Sequence, residues 1–182
     1  MRLTGGLDRG RRLFVPRGSR TRPTASKVRE AIFNILGPPP GPVLDLYAGS
    51  GALGLEALSR GAPAAVFVER DGAALAALRR NVREAAVETR ARIIPGDVRG
   101  ALRKLGAGDV RFSWVFMDPP YVKDTAGVLA ELSGSELLTT CAVVIVEHDR
   151  RHPSPASVGC LFLTDRRQYG DTELSFYRCS GS

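Results

Sequence analysis

Apolar and polar positions along the chain fall into short blocks that alternate between two periods. "PVLDLY" (42–47), "AAVFVER" (64–70), "ARIIP" (91–95), "FSWVFMD" (112–118) and "CAVVIVEHD" (141–149) are compact, mostly apolar runs that read as strands. Between them stand segments with helical spacing: "GALGLEALSRG" (51–61), "DGAALAALRRNVREAA" (71–86), "DVRGALRKL" (97–105) and "TAGVLAELS" (125–133). In the second of these Leu75, Leu78 and Val82 share one face. Strands alternating with helices predict an α/β fold, a mostly parallel sheet with helices on both faces. The end of the chain departs from this rhythm. "CLFLTDRRQYGDTELSFYRC" (160–179) places two strand-like runs around "YGDT", which predicts a closing antiparallel hairpin with Tyr169, Gly170 and Asp171 at its turn.

Ahead of this series, "PTASKVREAIFNILG" (23–37) predicts one more helix. Thr24 or Ser26 can cap it, Val28, Ile32 and Ile35 recur on one side, and Gly37 ends it. "PPPGP" (38–42) then breaks the chain, which predicts an N-terminal arm and helix over 1–37 and a main domain over 38–182. A length of 182 residues with 43% hydrophobic positions is enough for one real core. No apolar run approaches a membrane span, no secretory leader is visible, and Cys141, Cys160 and Cys179 suggest neither disulfides nor a metal site. The expectation is a cytoplasmic protein without a metal. His148 and His152 are expected to be solvated or locally bonded.

Charge changes the picture at the N-terminus. Residues 1–29 hold nine of the 26 Lys/Arg but one of the 19 acids, net +8, and the remainder stands at 17 against 18. Leu3, Leu7, Leu13, Phe14 and Val15 surround "GLDRGRR", so the arm is expected to be an ordered basic hairpin with a packing side. Such a surface suits a polyanion. Arg9, Arg11 and Arg12 are the candidate phosphate contacts. Arg22, Thr24 and Arg29, where the arm meets the first helix, can hold a phosphate, gate a ligand, or serve only as cap and surface charge.

Two stretches carry chemistry. In "DLYAGSGALGLE" (45–56), Gly49, Gly51 and Gly54 fit G-x-G-x-x-G at a strand-to-helix turn, which admits a dinucleotide-binding dehydrogenase. Asp45 argues otherwise, because a carboxylate just before the turn repels a pyrophosphate but suits an amine or a sulfonium. S-adenosylmethionine has both. Glu69, ending the second strand, suits ribose hydroxyls, and Asp97, after the third, suits an adenine amino group or caps the next helix. Tyr47, Arg70 and Val98 are assigned to the same cofactor site. The second stretch is "MDPPY" (117–121), where a strand ends on Asp118 and then on two prolines without backbone donors. That corner offers a carboxylate, carbonyl oxygens and the ring of Tyr121 to something flat that donates hydrogen bonds.

Taken together, "RPTASKVREAIFNIL", "LDLYAGSGALGLEALSRGA", "VFVERD", "MDPPY" and "YGDTELSFY" resemble the bacterial small-subunit (16S) ribosomal RNA guanine-N2 methyltransferases, over about Leu3 to Tyr177. The resemblance implies a Rossmann-like methyltransferase sheet of seven strands, the last antiparallel, with S-adenosylmethionine as cofactor. It also implies one guanine of 16S RNA, of the guanine-966 type, as target, within the small subunit or an assembly intermediate. Asp118 and the carbonyl of Pro119 would then accept the two N–H groups of the guanine amine, and Tyr121 would stack on a base turned out of its helix or loop. Amino-methyltransferases of DNA or other RNA share the D-P-P-Y loop and remain an alternative. So does a non-catalytic RNA-binding assembly factor that keeps the fold.

Overall fold

The structure, a computed structural model, describes residues 1–16, 23–119 and 125–179, with the backbone alone for 23–25. Its elements follow the expected alternation: α1 (Pro23–Leu36), β1 (Val43–Leu46), α2 (Ala52–Ser59), β2 (Ala65–Glu69), α3 (Gly72–Glu84), β3 (Ala91–Pro95), α4 (Val98–Gly106), β4 (Phe112–Met117), α5 (Thr125–Ser133), β5 (Leu138–Asp149), β6 (Ser157–Val158), β7 (Leu161–Tyr169) and β8 (Thr172–Cys179). The sheet runs β3-β2-β1-β4-β5-β8-β7-β6. β1 to β5 pair in parallel, and β8 enters antiparallel between β5 and β7.

The expected seven strands are eight. The addition is β6, two residues that pair with the start of β7 in a span whose Pro and Ser content hides any strand signal. α1 begins at Pro23, so Thr24 and Ser26 fall inside its first turn instead of ahead of it. Tyr169 pairs with Thr172 across a two-residue turn, where Gly170 takes φ 64°. A positive φ at that place matches the twist of the flanking strands.

The core lies on both sides of the sheet because the central strands are apolar at successive positions. One layer joins Val28, Ile32 and Phe33 of α1, Leu55 and Leu58 of α2, and Leu78 and Val82 of α3 to the sheet. The other joins α4 and α5 to the opposite face through Leu102, Leu105, Val128, Leu129 and Leu132. Phe33, Trp114 and Phe116 meet with ring centroids 5.7–6.2 Å apart, which fixes α1 over β4.

The arm is a closed hairpin. Leu3 N–H donates to Arg11 O at 3.0 Å and Leu13 N–H to Met1 O at 2.9 Å, and Leu3 and Leu13 are buried with α1 and α2. Leu7, expected to pack, is 95% exposed at the hairpin tip. Its backbone N–H is held by Ser59 O at 2.8 Å, and that contact turns the side chain outward. Among the described residues no helix is long and apolar enough to cross a membrane.

Candidate active site

The parallel strands end together. Leu46 pairs with Val68 on one side and Met117 on the other, Glu69 with Pro95, and Met117 with Val146. Chain direction diverges between β1 and β4, and in open α/β sheets ligands bind outside the carboxyl ends of strands at that switch point. Two cavities open there. The larger, about 520 Å³, is lined by Glu69, Arg70, Asp97, Val98 and Arg99. The smaller, about 250 Å³, is lined by Asp45, Gly49, Ser50, Leu53 and Glu147, with Met1, Val15, Val28 and Arg29 on the arm side. Tyr47 and Asp118 line both, so the cavities adjoin.

Local backbone shapes the turn between them. Tyr47 (φ 58°), Gly49 (φ 55°) and Gly51 (φ 81°) all take left-handed conformations, which a tyrosine adopts only where its surroundings over-determine it. The glycines divide their tasks. A Cβ on Gly49 would meet nothing within 4 Å, whereas one on Gly51 would stand 2.4 Å from Leu78 and one on Gly54 2.3 Å from the Phe67 ring. Gly51, expected among the cofactor-contacting residues, is buried and lines neither cavity. It sets helix packing and the N-cap of α2.

Asp45 is 2% exposed and accepts from Gly54 N–H at 2.9 Å. Burial pushes its carboxyl up to about 8, and the nearby Asp118 and Glu69 push in the same direction. A cation in the smaller cavity would offset that cost. Glu69 accepts from Gly49 N–H at 2.7 Å with one oxygen and from Arg70 and Asp71 N–H at 2.7 and 2.8 Å with the other. It ties the glycine turn to the end of β2. Asp97 caps α4 by accepting from Gly100 N–H at 2.9 Å, and chiefly that bond holds its carboxyl below the usual range. Its capping role and its place on the larger cavity coexist.

Asp118 and Pro119 stand at the end of β4, Asp118 exposed. Tyr121, Arg22 and the Thr24 side chain lie outside the described residues. Glu147 was not foreseen, although the signal that selects Glu69 and Asp118 applies to it: it follows "VIV" at the carboxyl end of a parallel strand. His148 is buried and bonds to the neighbouring Asp149 O at 3.1 Å and, from β5 to β8, to Ser175 Oγ at 2.9 Å. Among the described residues no group of His, Cys, Asp and Glu could hold a metal ion.

The arginines divide as well. Arg9 and Arg12 are exposed. Arg11, expected to face a phosphate, pairs with Asp8 at 2.7 Å and donates to Glu84 O, so its guanidinium is engaged within the protein. Arg29, expected to meet phosphate as well, is 2% exposed. It pairs with Glu56 at 3.2 Å and donates to Arg2 O at 2.6 Å. Burial lowers the Arg29 guanidinium, with Glu56 opposing. Burial alone would raise Glu56. Hydrogen bonds from Thr4 and Arg60 and the charge of Arg29 outweigh it and hold the carboxyl low. This cluster joins arm, α1 and α2 beside the smaller cavity.

The sequence model of a family described as conserved hypothetical protein 95 matches residues 1–178. YlbH of Bacillus subtilis (strain 168) is 37% identical over 100% of both chains. "Ribosomal RNA small subunit methyltransferase D" of Escherichia coli (strain K12) is 37% identical over 85% of this chain and 78% of its own. The solved yhhF structure from Escherichia coli superposes with a TM-score of 0.88 at 32% identity, covering 100% of this chain and 99% of that one.

Proposed function

The chain belongs to the conserved hypothetical protein 95 family, and from that premise we propose that it methylates the exocyclic N2 amine of one guanine in 16S ribosomal RNA, using S-adenosylmethionine. The observation that carries the reading is the pair of adjoining cavities at the switch point, which share Tyr47 and Asp118. The residues fit the cofactor's chemistry. Glu69 offers a carboxylate to ribose hydroxyls and Asp97 an acceptor to an amino group, and Val98 supplies an apolar wall in the same cavity. Asp45, buried and costly to ionise alone, suits an ammonium or sulfonium in the other cavity. When bound, S-adenosylmethionine supplies an electrophilic methyl group.

The protein's own part is positioning and electrostatics. The guanine amine is a poor nucleophile because its lone pair is delocalised into the ring. Asp118 and the Pro119 carbonyl accept its two N–H groups, draw the nitrogen out of conjugation and meet the positive charge that develops on it. Asp118 or water then takes the surplus proton. Pro119 and Pro120 bring no N–H groups of their own to compete for these acceptors. Tyr121 stacks on the extruded base, and Arg9 and Arg12 hold the backbone. A substrate inside ribosomal RNA places the enzyme in the cytoplasm.

The test uses unmodified 16S RNA, naked and as a small-subunit particle, with the protein and labelled cofactor. Nucleoside mass spectrometry should find N2-methylguanine. Label on another nucleoside, or on neither substrate, would overturn the reading.

A further inference from the structure

Positive charge beyond the arm's own gathers beside it. The returning limb of the hairpin lies along α3. There Asn81, 1% exposed, accepts from Phe14 N–H at 2.7 Å and donates to Phe14 O at 2.9 Å. The Arg80 guanidinium stands 3.2 Å from the Phe14 ring centroid, and Arg11 donates to Glu84 O. α3 buries Leu75, Leu78, Asn81 and Val82, so Arg79, Arg80 and Arg83 occupy its outer face.

The contacts thus lay the arm, which carries Arg9 and Arg12, against the Arg80–Glu84 row of α3, and Arg79 and Arg83 form the neighbouring row of its outer face. All four are exposed, and none pairs with a carboxylate among the described residues. The nearby acids are engaged elsewhere: Asp8 pairs with Arg11 and Glu84 with Arg80. Like charges collected without counter-charge work against a compact fold. Such an arrangement fits a surface whose counter-charge comes from a partner.

We propose that the outer face of α3 is a second RNA-contacting surface, a phosphate track that continues the arm and grips RNA flanking the modified base. It rests on the reading that this chain acts on RNA. Arg79 and Arg83 are four positions apart, so they rise about 6 Å along one helical row and can meet different phosphates. A guanidinium fork suits phosphate oxygens. Contacts of this kind fix register and orientation without reading sequence.

The test variant is Arg79→Ala/Arg83→Ala, which leaves the Arg80 stack on Phe14 in place. Binding to 16S RNA is measured across a salt series, with turnover on the same RNA. If both arginines touch phosphate, the log–log salt slope should flatten by roughly 1.4–1.8, at about 0.7 to 0.9 per contact. KM for RNA should rise while kcat and cofactor affinity hold. Arg79→Lys/Arg83→Lys should retain most of the slope, which separates charge from structure. A wild type that methylates RNA beside an alanine variant with unchanged slope and KM would overturn the surface alone. A wild type that neither binds nor methylates RNA would overturn both surface and function.

Discussion

Asp118 and Asp45 are both carboxylates at the switch point, yet their surroundings ask different things of them. Asp118 is exposed and Asp45 is enclosed in β1. Asp118→Ala should lower turnover by on the order of a hundredfold, the scale of losing one preorganised electrostatic group, with cofactor affinity near normal. Near-wild-type turnover would remove that carboxylate from the chemistry. Asp45 leads to a pH prediction. Its folded value of about 8 lies above the ordinary 3.8, so between the two the folded state holds a proton that the unfolded state has lost. Stability of the ligand-free protein from this group should therefore fall as pH rises from about 4 to 8. Asp45→Asn should melt several degrees above wild type near pH 9, and the gap should close toward pH 4. The same substitution should weaken cofactor binding by about 1.5–3 kcal/mol, as for a lost charge-assisted hydrogen bond. Calorimetry checks both, and a pH-independent gap in melting temperature would show that Asp45 is already ionised in the fold.

At the scale of elements, the arm is attached to the domain by a buried charge cluster and two leucines. Glu56 is fully buried and accepts from Thr4 N–H and Oγ1 at 2.8 Å, from Arg60 at 2.9 Å and from Arg29 at 3.2 Å. Removing one partner from such a cluster leaves the others buried without compensation, which typically costs about 3–5 kcal/mol. Glu56→Gln should lose stability on that scale in denaturant melts. Amide exchange should rise first at Leu3 and Leu13, whose N–H groups close the hairpin. Protection of those amides at wild-type level would show that the hairpin stands without the cluster. Because Met1, Val15, Val28 and Arg29 line the smaller cavity, loosening the arm should also raise KM for S-adenosylmethionine.

For the whole molecule, the excess charge and the carboxyl end of the sheet are linked through the arm. Its limbs run from the smaller cavity, at Met1 and Val15, to the tip held by Ser59. Arg9→Ala/Arg12→Ala should flatten the salt dependence of RNA binding by roughly 1.4–1.8 in log–log slope, two phosphate contacts' worth. Arg11→Ala should act differently, through lost pairing with Asp8 and Glu84 O, and should appear in arm amide exchange more than in salt slope. An Arg11 variant that moves the slope as far as the pair does would place its guanidinium on RNA after all.

The sequence by itself determined the alternation of strands and helices, the closing hairpin and four carboxylates of the candidate site. These are local properties. A strand buried on both faces must be apolar at successive positions, and Asp45, Glu69 and Asp118 were visible because each interrupts or ends such a run, while Asp97 was visible as the cap that follows the edge strand β3. Tertiary structure alone decided which charges face outward. Arg29 lies 27 residues from Glu56, Phe14 lies 67 from Asn81 and Arg11 lies 73 from Glu84. No periodicity within one segment reports contacts at those separations. The same holds for Leu7, apolar by type but exposed at a tip whose backbone is tied to Ser59, and for β6, two residues recruited by the edge of β7. A charge balance of −1 outside the arm likewise conceals the arginines of α3, because a sum along the chain carries no direction in space. Burial and pairing are properties of the neighbours a residue acquires on folding, and those neighbours come from elsewhere in the chain.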